Sequence, residues 1–352
     1  SICVKVADGS NTAYVECFTI SITDVNDNTP VFSAGATATP SVEEGTTTVA
    51  TYSATDADGT STHNTVTYSI SDGADQAKFS VVSSTGALSF STAPDYDSGT
   101  ACAAGNSCVV ELTATSGSLT DTITVTVAIT NANDNSPTDM ALSAASAAEN
   151  AAAGTDIGTL STTDADASGN SHSYSLVTDS GGGTAYSGTD FALDSAVLEV
   201  GSSPSFDYES ATSHSICVKV ADGSNTAYVE CFTISITDVN DESPVWSTAA
   251  SLSVTEGAQN VATLTATDAD SGDTVSYAIT SNDNSLFEID SGVLRFVASG
   301  GADFESPGCG SSSNTCTVTV RASDGASTAN TADRTFTITI GDLNDNTPVF
   351  SA

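Results

Sequence analysis

Acidic side chains recur in one fixed order along the chain, and their spacing is the strongest chemical signal in the sequence. Three stretches each contain an early Glu, a D-A-D motif, an acidic-aromatic-acidic triplet and a closing motif of the D-x-N-D type. An A-D-G or S-D-G turn follows the penultimate predicted strand at Asp8, Asp222 and Asp324. Carboxylates and Asn amides are among the roughly six to eight oxygen ligands that Ca²⁺ takes. Carboxylates gathered in one place repel each other unless a cation neutralises them. The residue types therefore favour binding of a hard divalent cation.

The overall charge balance limits the possible partners. The chain has 352 residues, with 44 Asp plus Glu against 6 Lys plus Arg, and a formal charge of −38. This balance argues against a nucleic-acid partner, because phosphate binding needs Lys or Arg, and against membrane contact through basic residues. A hydrophobic share of 39% separates the sequence from disordered acidic tails. We therefore assign the acidic residues to folded domains.

Internal repeats define the elements that must position these acids. Residues 1–27 recur letter for letter at 215–241, and the closing motif begins at Asp24, Asn131, Asp238 and Asp342, at intervals of 107, 107 and 104 residues. Such self-similarity is typical of a tandem array. The predicted division is the C-terminal part of a first repeat at 1–28, whole second, third and fourth repeats at 29–135, 136–242 and 243–346, and the start of a further repeat at 347–352. We number the junctions between successive repeats from the N-terminus.

Within each repeat the pattern predicts an all-β fold. Segments such as VATLTATD, CTVTVRAS and RTFTITIGD alternate apolar and polar residues with period two and are rich in β-branched residues. Clusters of Gly, Asp, Asn and Ser separate them at the spacing of a β-sandwich. The Ala-rich stretch from Ala144 to Ala153 suggests a helix by propensity. Its alignment with the SVEEG and SVTEG segments of the other repeats predicts a strand edge and loop instead.

With five motif types recurring in order, the sequence resembles tandem extracellular cadherin repeats over essentially its whole length. The resemblance implies Greek-key β-sandwiches, cadherin-like and immunoglobulin-like, in a linear array. It also implies that the early Glu, the acidic triplet and the linker of one repeat meet the D-x-D and the late Asp of the next. Together these groups would hold three Ca²⁺ ions at each junction.

The resemblance assigns the metal ligands residue by residue. The expected ligands at the first junction are Asn26, Asp27, Asp56 and Asp58. Those at the second junction are Glu44, Asp95, Asp97, Asn133, Asp134, Asp164, Asp166 and Asp222. Those at the third junction are Glu149, Asp207, Glu209, Asn240, Asp241, Asp268, Asp270 and Asp324. Those at the fourth junction are Glu256, Asp303, Glu305, Asn344 and Asp345.

The second repeat departs from this pattern. It has Ser116 where the later repeats have a late Asp, Asp97 where they have Glu, and Asn131 where the linker otherwise opens with Asp. Each change removes a negative charge or shortens the side chain. We therefore expect Ca²⁺ to bind most tightly at the third junction.

Eight cysteines occur as four local pairs and predict disulfides. Cys3 and Cys17 lie symmetrically about Ser10, so a hairpin would place them opposite each other, and the same holds for the repeated copy. Two further pairs close short loops that follow the acidic triplets. The alternative is buried free thiols. Disulfides indicate an oxidising, extracellular setting, either secreted or at the cell surface. The cysteine pairs are Cys3 and Cys17, Cys102 and Cys108, Cys217 and Cys231, and Cys309 and Cys316.

The sequence carries little that points to catalysis. His63, His172 and His214 lie in Ser/Thr-rich loops without a hydrolase or metalloprotease motif. Paired acids such as Asp207 and Glu209 could serve a glycosidase, but their recurrence in every repeat favours a structural site. We therefore expect no enzymatic activity.

Three functional hypotheses remain. The favoured one is a protein stiffened by Ca²⁺ at its linkers that acts in cell adhesion through a homotypic or heterotypic protein partner. The alternative is a passive structural stalk or a subunit of an extracellular filament. A carbohydrate-acting enzyme is the third and least favoured hypothesis.

Overall fold

The computed structural model describes residues 1–166, 171–309, 314–326 and 328–349. The chain divides into two compact units. Unit 1 consists of Ser1–Asp139, Thr162–Ser173 and Ala221–Tyr228. Unit 2 consists of Met140–Ser161, Tyr174–Val220 and Val229–Ala352. The repeat boundaries inferred from the sequence remain predictions.

Unit 1 begins with a hairpin of strands β1 (Ile2–Val6) and β2 (Tyr14–Phe18). Cys3 pairs with Cys17 across the two strands, and a disulfide joins them. The turn is closed by Asp8, whose Oδ1 accepts the backbone N–H of Ser10 at 3.0 Å and of Asn11 at 2.9 Å. Asp side chains commonly stabilise turns in this way.

The second repeat forms a β-sandwich within unit 1. One sheet has the order β4-β12-β11-β8 with β5 also paired to β12, a second has the order β6-β10-β9, and β3 pairs with β7. A short 3₁₀ helix spans Gln76–Lys78. The strands are β3 (Val31–Phe32), β4 (Thr37–Ala38), β5 (Ser41–Glu43), β6 (Thr48–Thr51), β7 (Ala54–Thr55), β8 (Thr67–Asp72), β9 (Phe79–Val81), β10 (Ala87–Phe90), β11 (Ser107–Ser116) and β12 (Leu119–Thr130).

The core of this sandwich follows from the period of two along its longest strands. Alternate residues of β11, including Val110 and Leu112, are fully buried, as are Ile123 and Val125 of β12. They belong to one apolar cluster with Leu88 of the other sheet. Burying a side chain of this size contributes about 1.5 to 3 kcal/mol, so the alternation read from the sequence fixes which face of each sheet turns inward.

Strands β13 to β20 follow in the third repeat, and most of their residues belong to unit 2. They form two sheets, with the orders β13-β15-β18-β17 and β14-β20-β19-β16. The buried cluster in unit 2 includes Leu198, Phe206 and Ile234. The strands are β13 (Asp139–Leu142), β14 (Ser146–Ala148), β15 (Asp156–Thr163), β16 (Ser173–Val177), β17 (Phe191–Asp194), β18 (Val197–Val200), β19 (Ser213–Ala221) and β20 (Tyr228–Thr237).

The fourth repeat, also in unit 2, repeats the arrangement of the second. Its sheets have the orders β22-β29-β28-β25 and β23-β27-β26, and β21 pairs with β24. A 3₁₀ helix spans Asp283–Ser285. The strands are β21 (Val245–Trp246), β22 (Ser251–Thr255), β23 (Asn260–Thr263), β24 (Ala266–Thr267), β25 (Ser276–Asn282), β26 (Phe287–Asp290), β27 (Val293–Phe296), β28 (Thr315–Ser323) and β29 (Thr331–Gly341).

The topology has the crossovers of a Greek-key sandwich. In each whole repeat an early strand, β5, β14 or β22, pairs in parallel with the last strand, β12, β20 or β29. The strands between them in sequence lie in both sheets, as long connections require. The predicted all-β class is therefore confirmed. The Ala-rich stretch is also as predicted, because it forms the short strand Ser146–Ala148 followed by a turn.

Candidate metal centre

The early Glu of each whole repeat organises the acidic groups around it. Glu44 accepts two backbone N–H groups, from Tyr96 in the acidic triplet and from Ala132 in the linker, the second at 2.9 Å. The carboxylate is 5% exposed. Charge-assisted hydrogen bonds of this kind are stronger than neutral ones, so one buried side chain fixes both the triplet and the linker.

The later repeats use the same device. Glu149 Oε2 accepts the N–H of Tyr208 at 2.6 Å, and its Oε1 accepts the N–H of Val239 at 2.6 Å. Glu256 likewise accepts the N–H of Phe304 at 3.0 Å and that of Leu343.

The D-A-D motif provides the second anchor for each linker. The backbone N–H of Asn135 donates to Asp166 Oδ2 at 2.8 Å, and Asp164 Oδ1 accepts the N–H of Asp166 at 3.1 Å. At the third junction, Glu242 N–H donates to Asp270 Oδ2 at 3.1 Å. At the first junction, Asn28 N–H lies 3.4 Å from Asp58 Oδ2. The last residue of each linker is thus held by the D-A-D motif that follows it.

At the second junction four carboxylates converge within unit 1. Ligand oxygens of Glu44, Asp97, Asp134 and Asp166 lie within 4.8 Å of one another. Burial raises the pKa of Asp97 to about 6, and contact with Asp166 and the charge of Glu44 add to the rise. Burial and the same neighbours also raise the pKa of Asp134. The shifts show that these groups resist simultaneous ionisation.

The remaining predicted residues of this junction lie around the cluster. Asn133 donates its side-chain N–H to the backbone carbonyl of Asp222 at 3.1 Å. Asp95 Oδ1 accepts the N–H of Ser98 at 2.9 Å, which keeps this carboxylate in its own local turn. Asp164 Oδ2 lies 3.1 Å from His172 Nε2.

The third junction, within unit 2, contains two overlapping clusters. Glu209 lies with Glu149 and Asp241 in one, and with Asp238 and Asp270 in the other. Burial raises the pKa of Glu209 to about 7, and the charges of Glu149 and Asp238 act in the same direction. Burial also raises the pKa of Asp270.

Not every ligand predicted for this junction lies in these clusters. Asp207 accepts the hydroxyl of Ser210 at 2.7 Å and its N–H at 2.9 Å. The Ser210 hydroxyl lowers the pKa of Asp207. Asp268 binds the N–H of Asp270 through Oδ1 at 3.1 Å. Asn240 accepts the side-chain N–H of Asn330, whose backbone N–H donates to Asp324 at 2.7 Å.

The outer junctions are assembled less completely. At the first junction, Asn28 donates its side-chain N–H to Asp58 at 2.5 Å and to Asp27 at 3.0 Å, while Asp56 accepts the N–H of Asp58 at 2.9 Å. At the fourth junction, Glu256, Asp303 and Glu305 share a cluster. Asp345 accepts the side-chain N–H of Asn346 at 3.0 Å. Asn344 is exposed in the adjoining segment.

Several groups outside the assigned ligands also face these sites. Asp238 completes a cluster. Asp273 is half-buried with one buried carboxylate oxygen, and burial, followed by the charges of Asp324 and Asp268, raises the pKa of Asp273. His63 Nδ1 lies 3.0 Å from Asp24 Oδ2. The amide of Asn225 lies among oxygens of the second linker. A signal for Asn225 was available, because an Asn follows the late Asp by three residues in both copies of the identical segment.

The oxygen atoms at these sites fit a calcium ion, because several buried carboxylate oxygens lack a hydrogen-bond partner within the described ranges. Asp56 Oδ2, Asp268 Oδ2 and Asp270 Oδ1 are buried and have no hydrogen-bond partner in the described part of the chain. A buried carboxylate oxygen without a partner is costly, and a cation would satisfy it. The three arginines do not supply the positive charge at these oxygens, because each of them has another partner. Arg295 pairs with Glu288 and Asp290, Arg321 pairs with Asp333, and Arg334 donates to the carbonyl of Thr248.

All four predicted disulfides are present: Cys3–Cys17, Cys102–Cys108, Cys217–Cys231 and Cys309–Cys316. In the second repeat the buried carboxylate of Asp75 supports the disulfide loop, because it accepts the N–H of Ala103 at 2.7 Å and of Val109 at 2.9 Å. This loop follows the acidic triplet directly.

Comparison with known proteins agrees with this architecture. Residues 39–130 match the model of the cadherin domain. The chain is 29% identical over 366 aligned residues to human protocadherin Fat 1, covering 99% of this chain and 8% of that protein. It is 32% identical over 167 residues to mouse protocadherin Fat 4, covering 45% of this chain and 3% of that protein. The chain thus spans less than a tenth of the length of these relatives.

Solved structures show the same fold. The extracellular domain of protocadherin gamma-B4 superposes with a TM-score of 0.62 at 26% identity, over 92% of this chain and 51% of that one. A protocadherin gamma-B7 fragment described as a cis-dimer superposes with a TM-score of 0.61 at 24% identity, over 91% of this chain and 75% of that one.

These matches are to proteins built from tandem cadherin-type β-sandwiches, and the chain has the same fold. The resemblance to the cadherin family is confirmed, and residues 39–130 are a cadherin domain. The predicted extracellular location is confirmed by the same relatives. Across the described ranges, no helix is both long and apolar enough to cross a membrane.

Proposed function

We propose that the acidic junctions bind Ca²⁺ and that the bound ions hold successive repeats in a fixed relation. The observation that carries the proposal is the convergence of Glu44, Asp97, Asp134 and Asp166 within 4.8 Å. Because each of these carboxylates would repel the others in water-poor surroundings, a divalent cation is the natural counter-charge.

The proposed ligands come from separate parts of the sequence. At the second junction Glu44 and Asp97 precede the linker, Asp134 lies in it, and Asp166 follows it. An ion held by all of them would add bonds between these segments that the protein alone does not supply. At the third junction Glu209, Asp241 and Asp270 would act in the same way.

Two measurements test this proposal on the chain. Calorimetric titration after chelation should detect calcium binding, and X-ray scattering should give a longer, better-defined particle with Ca²⁺ than with chelator. Identical scattering in both conditions would contradict the stiffening role. Absence of any calcium uptake would contradict the metal assignment itself.

Within this function, adhesion is the role we favour. The relatives found in sequence comparison are protocadherins, and one similar structure is described as a cis-dimer. We propose that the chain associates with a protein partner, either a second copy or another extracellular protein. A passive stalk or filament subunit is the alternative.

Beads coated with the chain separate the two roles. Aggregation that requires Ca²⁺ and disappears with chelator supports adhesion, and aggregation of one bead population alone indicates a homotypic partner. Beads that stay dispersed while calcium still stiffens the chain in scattering support the stalk.

A further inference from the structure

The side-chain amide of Asn225 lies inside a cage of oxygen atoms at the second junction. Its Nδ2 is 2.6 Å from Asn133 Oδ1, 2.7 Å from the carbonyl of Asn135, 3.0 Å from Asp222 Oδ2 and 3.2 Å from the carbonyl of Asn133. An NH₂ group has two hydrogens, so four oxygens exceed what it can satisfy. Such a cage is better matched to a cation, which takes more ligands.

The amide reaches this place through a turn that forms without the linker. Asn11 occupies the same position in the identical segment at the N-terminus, and its Nδ2 donates to Asp8 Oδ2 at 2.8 Å. The backbone N–H of Asn11 donates to Asp8 at 2.9 Å, and that of Asn225 donates to Asp222 at 2.8 Å. The local sequence therefore presents the amide in advance, and the linker oxygens accept from it only in the second copy.

The fourth repeat contains a weaker version. Asn330 Nδ2 lies 2.9 Å from Asn240 Oδ1 and 3.2 Å from the carbonyl of Asn240. Its backbone N–H donates to Asp324 Oδ2 at 2.7 Å. The turn is longer here than in the third repeat, but it brings an amide to the same linker position.

The second repeat shows what happens without this amide. Its last two strands join directly, with Ser116 paired to Leu119, and the turn contains no Asn. Asn26, the counterpart of Asn133 at the first junction, donates its N–H to the carbonyl of Ser116 at 3.1 Å. Its Oδ1 is buried and has no partner among the described residues. The amide of Asn225 is thus what satisfies the corresponding oxygen of Asn133.

We propose that Asn225, and more weakly Asn330, is a latch that competes with calcium for the linker oxygens. In the ion-free protein the amide ties the linker to the next repeat. It has to turn away before Ca²⁺ can take the same oxygens. This inference rests on the proposed calcium function and adds a regulation of calcium binding to it. The first junction lacks the latch, so the junctions would differ in how tightly they bind Ca²⁺.

The latch has two opposite effects that a purely structural side chain would not have. Because only the open form accepts the ion, the apparent dissociation constant equals the intrinsic one divided by the fraction of the time the latch is open. The same hydrogen bonds protect the backbone amides of the linker from hydrogen exchange when calcium is absent. Removing the amide should therefore strengthen calcium binding and loosen the ion-free linker.

The test is Asn225→Ala in the whole 352-residue chain. The backbone N–H that closes the turn is retained, so the turn itself survives. Calorimetric titration with Ca²⁺ should show one class of sites tightened by about 2- to 10-fold, the range of one net hydrogen bond. Hydrogen exchange in chelator should become faster at residues 131–136. Asn330→Ala should give the same pair of changes, smaller in size, at the third junction.

Asn11→Ala is the matched control, because it removes the same amide from the same turn where no linker oxygen lies beside it. It should change neither measurement. Weaker calcium binding in Asn225→Ala would mean that the amide oxygen is itself a ligand, and unchanged binding or unchanged exchange would mean that there is no latch; each overturns the inference. If the parent chain takes up no calcium, the proposed calcium function is wrong. Hydrogen exchange in chelator then still tests the hydrogen bonds between the Asn225 amide and the linker. If Asn225→Ala does not fold, Asn330→Ala decides in its place.

Discussion

The Oε1 atom of Glu44 accepts the backbone N–H of Ala132 at 2.9 Å, although 88 positions separate the two residues in the sequence. The same carboxylate binds Tyr96 and belongs to the four-carboxylate cluster. A single side chain thus fixes the linker and, in the proposed function, also offers an oxygen to the ion.

Replacing Glu44 should weaken both calcium binding and the hold on the linker. Glu44→Gln removes the charge and leaves one oxygen to accept from Tyr96 and Ala132, where Glu44 offers two, so calcium affinity at the second junction should fall by at least about tenfold, equivalent to about 1.4 kcal/mol. Titration calorimetry measures the loss. Glu43→Gln is the control, because Glu43 is exposed on strand β5, and it should leave the titration unchanged. Equal losses in both variants would assign the effect to net charge alone.

Calcium removal should lower thermal stability. Binding to the folded state alone stabilises it by about 2.7 kcal/mol per site when free ion is 100 times its dissociation constant. The melting temperature should therefore rise with Ca²⁺ concentration and fall with chelator. Magnesium at the same concentration is the control, since it demands a smaller octahedral site. Identical melting in calcium and chelator would argue against coupling of ion binding to folding.

The ion-free protein should become more stable as pH falls from about 8 to 5. Asp97 and Glu209 have folded pKa values of about 6 and about 7, above their ordinary values. A raised carboxylate pKa means that ionisation destabilises the fold, so the penalty is full above the folded pKa and disappears toward the unfolded one. Thermal melts in chelator measure the trend. Glu209→Gln should flatten it between pH 8 and 6, and a slope unchanged by this substitution would contradict the assignment.

The third junction should fill at lower calcium than the second. The third repeat has Glu209 and Asp238 where the second repeat has Asp97 and Asn131, so the negative charge and the side-chain length are greater at the third junction. Hydrogen exchange followed during a calcium titration should show protection at residues 238–242 before residues 131–135. The opposite order would refute the ranking.

The disulfide of the second repeat should stabilise the acidic triplet. Cys102→Ser with Cys108→Ser removes a disulfide between two buried cysteines and should cost about 2 kcal/mol of unfolding free energy, measured by denaturant titration. It should also weaken calcium binding at the second junction, since the loop adjoins Asp97. Cys3→Ser with Cys17→Ser is the comparison, because that hairpin is exposed. A larger loss of calcium affinity in the variant without Cys3 and Cys17 would contradict this account.

Much of the fold and of the acidic constellation could be predicted from the sequence. Alternation along CTVTVRAS and RTFTITIGD predicted one inward face for each strand, and Val320 and Ile338 on those faces are fully buried. The repeat of the motifs brought Glu44, Asp97, Asp134 and Asp166 into one predicted set. The periodicity works because side chains on a strand point alternately to opposite faces. Motif spacing works because each motif occupies the same turn in every repeat.

Other features of the acidic sites depended on which contacts each carboxylate makes. Asp207, a predicted ligand, accepts a hydrogen bond from Ser210, and Asp95, another, accepts one from Ser98. Asp238 joins a cluster that the ligand assignment omitted. Short-range hydrogen bonds and long-range repulsion compete for each carboxylate, and only three-dimensional distances decide between them.

The identical segments at 1–27 and 215–241 show which structural features the local sequence determines and which it does not. Both copies form the same turn, with Asp8 and Asp222 closing it, because a turn depends on neighbours in the chain. Yet Val4 is 53% exposed, whereas its counterpart Val218 is fully buried. The amides also differ, since only Asn225 meets linker oxygens. The sequence determined the strands, the turn and the types of residue at the acidic sites. Burial, pKa shifts and the contacts of the Asn225 amide were decided by which distant segments the tertiary structure packs against them.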